Sequence, residues 1–564
     1  MRINKSYLIQ KQIVTPDQTF FKITLLIFFV VLSCPNTFAT LITYGSPGDL
    51  STVPHLKQSS DYTVTVNGKS SFVYETDNSW DGGGVSGSMR MQKKAAFTNF
   101  DFLNETVNVE VTCNFTVNSV TIRPKIDNIA FTQTGNKISF SLSSSKYLSI
   151  EVNDRLNPLF LFADSVLTPP TTDITYGPGI HNIGTKCPVP ANTSIYIAGG
   201  AVVVGSFLGA GDNIKIYGKG VLNCGSVLSA EWLLDKLKSP LAADSTATSF
   251  GYEMHGFTIV NSPGWHVNAY GNEQMFSNLK CIAWAGMTDA PHLTNKSLMR
   301  HCFIFNNDDA LICNQGSNAN FKDCVVWKGP YGRCMISLQN NSQSNILWED
   351  IDVIGNESPL NQLKAKMIAI VEVTSGTKTN YTFRNIRIEG QLENKAGFFV
   401  IDAQGTSIIK NVILENITTE LLRTTAADIE GTINKATTAK IDGVHFKCVR
   451  MNGTLITSLA QAQIGNPAAA LNVNFVNAAC INTDVEEVNE SIESNNMQFY
   501  SSNGKLKYNM VDVNIKTVNI FNSMGAKVKS GKIENIDIDN LPVGVYHINA
   551  EADGANYAGK FLKQ

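Results

Sequence analysis

The stretches "LKCIAW" (279–284), "RHCFIF" (300–305) and "KDCVVW" (322–327) repeat one short pattern along the chain. Each is a brief apolar run entered through a polar residue, and their cysteines lie 21 and 22 residues apart. Repeats of this length are typical of solenoids and propellers, in which each unit buries its apolar face by stacking on its neighbours.

The pattern continues on both sides, at "EMHGFTIV" (253–260), "WEDIDV" (348–353), "FRNIRI" (383–388), "KNVILE" (410–415) and "KIDGVHF" (440–446). These segments are β-branched, have a period of two and are separated by Asn/Gly-rich turns, which indicates strands and not helices. We predict a right-handed parallel β-helix, in which equal positions of successive coils stack about 4.8 Å apart. The repeated cysteines would form an interior ladder of buried thiols, with disulfides between coils as the alternative.

Other parts of the chain have different patterns. Residues 40–170 alternate apolar and polar residues with a turn signal every 8–12 residues, which predicts an antiparallel β-sandwich before the β-helix of residues 171–481. Residues 482–496 are an acidic, polar linker. Residues 497–564 alternate again and predict a small C-terminal β-sandwich, which completes an all-β fold class.

Composition and the N-terminus limit the function. The 564-residue chain has a formal net charge of −3 and only 16% charged residues, so it lacks the basic footprint of a nucleic-acid binder. Residues 1–39 resemble a signal peptide, because lysines and an arginine precede the apolar run "ITLLIFFVVL". That run is shorter than the roughly 20 residues of a spanning helix, so we expect no stable membrane span. A membrane anchor, or lipid attachment at Cys34, is the alternative.

Three carboxylates are the candidate catalytic residues. "FNNDDALIC" (305–313) carries Asp308 and Asp309, and counting from the repeated cysteines places Asp289 beside them, one coil away. Like charges held this close are destabilising unless a proton, a cation or catalysis compensates. An inverting glycosidase uses such a cluster, with one protonated carboxyl as acid and an ionised one about 6.5–9.5 Å away to activate water.

Two other interpretations of the carboxylates stay open. Asp and Asn side chains also stack in the turns of parallel coils simply to bond backbone groups. Alternatively, the carboxylates would hold Ca²⁺ in a polysaccharide lyase, with Arg333 or Lys328 as the base. The chain has no Cys/His cluster with metal-ligand spacing, and we expect no metal ion and no organic cofactor.

Aromatic residues gather around the same coils and suggest a polysaccharide partner, because sugar rings stack on indole and phenol faces. The candidate substrate-binding residues are Trp265, Tyr331, Lys328, Trp327 and His292. Trp284 and Trp327 occupy the same position in their repeats, so stacking inside the coil is an alternative for both of them.

The central segment resembles the β-helical glycoside hydrolases. "TIVNSPGWHV" is similar to family 28 polygalacturonases, while "TDAPHLTNKSLMRHCFIFNNDDALI" and "CVVWKGPYG" resemble family 49, the dextranases and isopullulanase. The family 49 resemblance covers about residues 45–480. It implies that Asp308 is the general acid, and that Asp289 and Asp309 position and deprotonate water.

The C-terminal segment resembles another family. "VNIFNSMGAKV", "LPVGVY" and the final "GKFLKQ" resemble the C-terminal sorting domain of the type IX secretion system of Bacteroidetes. This resemblance implies export by that machinery, to the medium or to the cell surface. An adhesive or carbohydrate-binding β-domain is the alternative.

Together these features predict a secreted, monomeric hydrolase that cleaves the α-1,6 bonds of a dextran-like neutral glucan. The alternatives are a pectin hydrolase of the polygalacturonase type, a β-helical polysaccharide lyase and a non-catalytic glycan-binding protein.

Overall fold

The computed structural model describes most of the chain between residues 39 and 563. The described ranges are 39–79, 90–168, 170–227, 241–243, 250–269, 271–314, 316–337, 342–357, 366–389, 397–420, 431–466, 471–477 and 480, and in the tail 499–502, 505–508, 515–521, 527–532, 536, 538, 541, 544–552 and 555–563. The predicted linker lies outside these residues, as does the predicted signal peptide except for Ala39. None of the described residues belongs to a helix that is long and apolar enough to cross a membrane.

The chain divides into two compact units, Met1–Cys480 and Ile481–Gln564. The first unit begins with two packed sheets and short 3₁₀ helices at Leu50–Thr52 and Lys125–Asp127. The seven-stranded sheet consists of Thr40–Thr43, Lys57–Gln58, Tyr74–Asp77, Lys94–Leu103, Val120–Arg123, Lys146–Val152 and Leu159–Ser165, and the five-stranded sheet of Tyr62–Val66, Lys69–Ser71, Val107–Cys113, Phe131–Thr134 and Lys137–Leu142.

The sandwich is antiparallel except at one place, where Leu159–Ser165 pairs in parallel with Lys94–Leu103. These two strands lie in the middle of the seven-stranded sheet and are buried on both faces. One face packs on the five-stranded sheet, and the other packs on the coil, where Phe160 and Phe162 contact Phe303. Strands covered on both faces tolerate parallel pairing well.

The rest of the first unit is a parallel coil. Its long sheet of 21 strands consists of Ile174–Tyr176, Gly179–Pro190, Ser194–Ile197, Ala201–Ala210, Lys215–Gly218, Val221–Asn223, Leu241–Ala243, Glu253–His255, Thr258–Val260, Val267–Asn268, Met275–Ser277, Lys280–Ile282, Leu298–Arg300, Phe303–Asn306, Asn320–Lys328, Gln343–Asn356, Thr377–Ile388, Ile408–Thr419, Lys440–Met451, Thr454–Leu455 and Leu471–Val476. A second parallel sheet consists of Leu311–Cys313, Met335–Ser337, Ile368–Val373, Phe399–Ala403, Gly431–Lys435 and Ile464–Gly465.

The second unit contains two small antiparallel sheets, Phe499–Ser502 with Lys505–Tyr508, and Lys527–Gly531, Ile515–Phe521, Gly544–Ala552 and Ala555–Lys563. The predicted all-β fold class is therefore confirmed.

Stacked side chains explain why the repeats are rich in asparagine. Asn345, Asn380 and Asn411 occupy the same turn of successive coils, and each donates through its side-chain amide to the previous asparagine oxygen, at 3.0, 2.9 and 2.8 Å. All three have a positive φ, between 53° and 59°. Asparagine tolerates this left-handed conformation better than most residues, so one residue type serves both the turn and the ladder.

The register of the coil differs from the predicted cysteine ladder. Cys302 stacks on Cys324, as the hydrogen bond from the Val325 N–H to the Cys302 carbonyl shows. Cys281, however, is in register with Ile304, two residues beyond Cys302. Cys313 is similarly in register with Ser337 and not with Cys334. All five thiols are free and buried, and the one disulfide among the described residues joins Cys448 to Cys480.

An aromatic column in the coil interior gives a stability prediction. Trp348 is fully buried, and its ring lies parallel to Phe321 and Phe383, with centroid distances of 5.3 and 4.5 Å. We expect Trp348→Ala to lower the free energy of unfolding by about 3–5 kcal/mol, because it leaves a cavity between stacked coils. Chemical denaturation measures this loss. Trp265→Ala, at a half-buried position, is the matched control, and an equal loss in both variants would contradict the prediction.

Candidate active site

The candidate site is built on three successive coils, and their backbones are hydrogen-bonded directly at the carboxylates. The Ala290 N–H donates to the Asp309 carbonyl at 3.0 Å, and the Ala310 N–H donates to the Arg333 carbonyl at 2.9 Å. Asp289, Asp309 and Arg333 therefore follow one another across the coils. The structure brings all three predicted carboxylates together, since Asp289 and Asp309 both act electrostatically on Asp308.

This arrangement arises despite the shift in cysteine register. Ile282 pairs with Phe305, but Leu293 pairs with Cys313. The Asp289 coil thus uses three more residues than the next coil to reach the same point. The longer turn "AWAGMTD" (283–289) offsets the two-residue shift at Cys281 to within one residue, so Asp289 still lies beside Asp309.

The turn that carries Asp308 is held by amides and a hydroxyl. The Asn306 side-chain amide donates to the Thr288 and Asp309 carbonyls, both at 2.8 Å. The Asn307 N–H donates to the Thr288 hydroxyl at 2.9 Å, and its side-chain amide donates to the Trp284 carbonyl. Since all these groups are buried, the turn is fixed without any contribution from the Asp308 carboxyl.

The N-terminal sandwich also supports this turn. Arg90, which is buried, donates to the Asn306 carbonyl through Nη1 and to Glu357 through Nη2, the latter at 3.0 Å. Its guanidinium carbon lies 3.5 Å from the ring centroid of Phe305. The sandwich is therefore part of the framework of the site, a role for Arg90 that no sequence pattern indicated.

The three carboxylates have different partners. Asp309 accepts hydrogen bonds from the Arg333 N–H and, at 3.4 Å, from the Arg333 guanidinium. Asp289 contacts Nε2 of His292 at 2.9 Å. Among the residues that the structure describes, none donates a hydrogen bond to the carboxyl of Asp308, which is partly exposed and lies against Gly332.

These environments affect the pKa values of Asp308 and Asp309 differently. Burial, the Asp289 charge and the Asp309 charge raise the pKa of Asp308 well above its usual range, against the opposing charges of Arg333 and Lys328. Burial also raises the pKa of Asp309, but the Arg333 guanidinium and N–H oppose that rise. Asp308 therefore holds a proton more readily than Asp309 does.

His292 orients Asp289. The Asn314 side-chain nitrogen, which can only donate, lies 3.0 Å from Nδ1 of His292, so Nδ1 accepts and the imidazole proton is on Nε2, facing Asp289. His292 is only 4% exposed, and the Trp265 ring lies over it with centroids 4.6 Å apart. His292 is therefore positioned to support Asp289, and the half-buried Trp265 separates it from solvent.

Three of the five predicted substrate-binding residues are buried: His292, described above, and Trp327 and Lys328, whose polar atoms contact other protein groups. Trp327 is 1% exposed, donates to Glu357 at 2.7 Å and lies under the Arg155 guanidinium, beside a cavity of about 270 Å³ between the sandwich and the coil. Lys328 is fully buried, and its Nζ donates to the Gly329 and Tyr331 carbonyls at 2.7 and 2.6 Å.

The physical reason is the strand register. Trp327 and Lys328 end a strand that pairs with Phe305 and Asn306, so they continue the packing of that coil. Burial lowers the pKa of Lys328 to about 8. Tyr331 lies in the turn after this strand and is partly exposed. Burial, and then the charge of Asp308, raise the pKa of its phenol, so the ring lies near Asp308.

The C-terminal segment matches the secretion system C-terminal sorting domain over residues 487–564. The C-terminal segment is a sorting domain. It indicates that the protein is secreted or attached to the cell surface. The match begins ten residues before the boundary predicted from the sequence.

Comparison with solved structures supports the fold of the first unit. Dex49A from Penicillium minioluteum is 16% identical to the chain with a TM-score of 0.60, over 77% of this chain and 96% of its own. A family 28 exopolygalacturonase from Yersinia enterocolitica is 10% identical over 78% of this chain and 96% of its own, but its TM-score of 0.29 is too low to support an argument. No curated protein matches the chain in sequence.

The crowding of the carboxylates predicts a pH-dependent stability effect. Folding raises the pKa of Asp308, so the folded protein binds this proton more tightly than the unfolded chain does. The free energy of unfolding therefore falls as the pH rises from about 3.9, the pKa of Asp in an unfolded chain, through the higher pKa of the folded state. We expect Asp308→Asn to increase the free energy of unfolding at neutral pH by about 1 kcal/mol, as single stabilising changes do, and to have no effect below about pH 3.9. Denaturation curves at both pH values measure the difference.

The matched control is Asp309→Asn. It removes the partner of the mostly buried Arg333 guanidinium, so we expect it to destabilise the protein at neutral pH. Stabilisation by Asp309→Asn and not by Asp308→Asn would reverse the assignment of the two carboxylates.

Proposed function

We propose that the protein is a secreted polysaccharide hydrolase that cleaves glycosidic bonds with inversion, using Asp289, Asp308 and Asp309. The observation that carries this proposal is the unequal environment of three adjacent carboxyls. Two of them contact a side chain that keeps them in place, His292 and Arg333, while the third has a raised pKa and no hydrogen-bond donor among the described residues. Glycoside hydrolysis needs one carboxyl that is protonated and one that is ionised.

The roles follow from these environments. Asp308 is the general acid, because a carboxyl whose pKa is raised keeps its proton to higher pH and can donate it to the leaving oxygen. Asp309, opposed by the Arg333 charge, and Asp289, held by His292, position water and accept its proton. The same assignment was implied by the resemblance to family 49, and no metal ion is required for any of these steps.

The substrate in this proposal is a neutral α-glucan, with dextran-like α-1,6 bonds. Among the described residues, the two cations that act on Asp308 both contact protein groups, Arg333 at Asp309 and Lys328 at two backbone carbonyls, which favours an uncharged sugar over a uronic acid. The partly exposed rings of Trp265 and Tyr331 suit the apolar faces of uncharged sugars. The α-1,6 linkage rests on the family 49 resemblance and on the fold shared with Dex49A.

Asp308→Asn tests the catalytic assignment. Loss of general-acid catalysis is expected to reduce kcat on dextran by about 10²–10⁴-fold. The loss should be much smaller on a glucosyl substrate with an acidic phenol as leaving group, because that group departs without a proton. Reducing-sugar release and phenolate release measure the two reactions, and NMR of the first product shows whether the anomeric configuration is inverted.

The same experiment separates the alternatives. A non-catalytic glycan-binding protein would release no sugar in either form, and unchanged release by Asp308→Asn would overturn the assignment. Assays on dextran, pullulan and polygalacturonate would identify the linkage, and an unsaturated product that absorbs in the ultraviolet would indicate a lyase.

The Arg333 contact predicts a change in the pH profile. Arg333→Gln removes the positive charge that opposes protonation of Asp309, so the pKa of Asp309 should rise further. We expect the acidic limb of kcat/KM to move to higher pH, while the basic limb, set by Asp308, moves less. Arg333→Lys should restore most of the profile, because it keeps the charge. A uniform loss of activity at every pH would show that Arg333 has only a structural role.

A further inference from the structure

A groove of about 960 Å³ lies on the five-stranded sheet of the N-terminal sandwich. Its wall on one side is the segment 127–131, and its floor includes Thr65, Asn108, Glu110 and Ser141. This volume is at the upper end of the roughly 300–1,000 Å³ of pockets that hold organic ligands. The proposed catalytic residues do not line it.

The floor is made of short polar side chains arranged in rows. Thr132, Ser139, Glu110 and Thr65 are directly opposite one another on four neighbouring strands. In the next row, the Ser141 hydroxyl donates to the Asn108 side-chain oxygen at 2.7 Å. Burial alternates strictly along Val107–Cys113, so the valines face the core of the sandwich while this polar row faces outward.

The layering of the unit leaves this face pointing away from the coil. The seven-stranded sheet is buried on both faces, between the coil and the core of the sandwich. The five-stranded sheet contributes one face to that core, and the groove lies on its other side. Glycan bound there would not compete for the groove of the proposed active site.

The charges of the groove are balanced. Glu110 forms an ion pair with Lys137 at 2.8 Å, and Asp127 forms one with Lys146. A paired carboxylate on the floor disfavours nucleic acids and polyuronates, and rows of hydroxyl and amide groups offer little to a lipid. Such groups match the hydroxyls of an uncharged sugar, which both donate and accept hydrogen bonds. Phe131, on the wall and 38% exposed, adds an apolar surface of the kind against which sugar rings pack.

We propose that this groove is a second glycan-binding site, which holds a remote stretch of the same neutral polysaccharide. The identity of the ligand rests on the proposed function, while the existence of a glycan site rests on the groove itself. Tethering at two sites raises the effective concentration of the polymer at the catalytic coils. The gain applies to long chains only, because a short oligosaccharide cannot occupy both sites.

The test uses the full chain with Asn108→Ala and Ser141→Ala combined. Thr112→Ala is the matched control, because Thr112 lies on the same strand and outside the groove lining. In the Asp308→Asn background, electrophoresis through gels containing high-molecular-mass dextran measures binding without hydrolysis. We expect dextran to retard the groove variant at least several-fold less than the control. When the same two substitutions are made in the active enzyme, we expect a higher KM for dextran and an unchanged kcat/KM for a short isomalto-oligosaccharide.

The outcomes distinguish this proposal from the proposed function. Equal retardation of the groove variant and the control would overturn the second site, even if dextran is hydrolysed. Groove-dependent retardation by dextran without hydrolysis of dextran by the wild-type chain would support the second site and refute the proposed dextran-hydrolysing activity. An equal loss on dextran and on the short substrate would also contradict the tethering, since it would indicate damage to the catalytic coils.

Discussion

The hydrogen-bond ladder between successive coils is the constraint on which the proposed site depends. Each backbone in a parallel ladder is fixed against the next one, and here the ladder runs through the carboxylates, from Ala290 to Asp309 and from Ala310 to Arg333. Asp289 and Asp309 lie in turns, and these backbone hydrogen bonds fix their turns at the spacing of adjacent coils. Asn306, Asn307 and Thr288 complete the framework with hydrogen bonds to and from the backbone, so the carboxyl of Asp308 is not needed to hold the turn.

Holding three carboxylates on adjacent coils has an energetic cost that the surrounding protein offsets. Arg333 compensates Asp309 and His292 supports Asp289, while burial, followed by the charges of Asp289 and Asp309, raises the pKa of Asp308. The buried column of Phe321, Trp348 and Phe383 begins in the coil that carries Arg333 and continues through the two coils after it, where its packing stabilises the solenoid. Local instability at a functional site, balanced by a rigid scaffold, is common in enzymes.

The sequence predicts the fold well, because strand periodicity and turn composition are local properties. It predicts the carboxylate cluster for the same reason, although the register inferred from Cys281 was two residues off. Trp327 and Lys328 were assigned to the substrate because aromatic and basic residues suit a groove. Strand register buries both residues, and the sandwich also covers Trp327, through Arg155 and through Arg90, which donates to the Glu357 carboxylate that Trp327 contacts. Contacts between residues this far apart in the chain leave no pattern in a single sequence, and Arg90, which is 216 residues from Asn306, was missed for that reason.

The disulfide between Cys448 and Cys480 would transmit force from the sorting domain to the coil. Cys480 is the last residue of the first unit, and Cys448 lies in one of its last long strands, Lys440–Met451. A pull on the tail, during export or after attachment to a surface, would reach the coil through this covalent bond. The force would therefore load the body of the solenoid, and the final strand Leu471–Val476 would be protected from being peeled off.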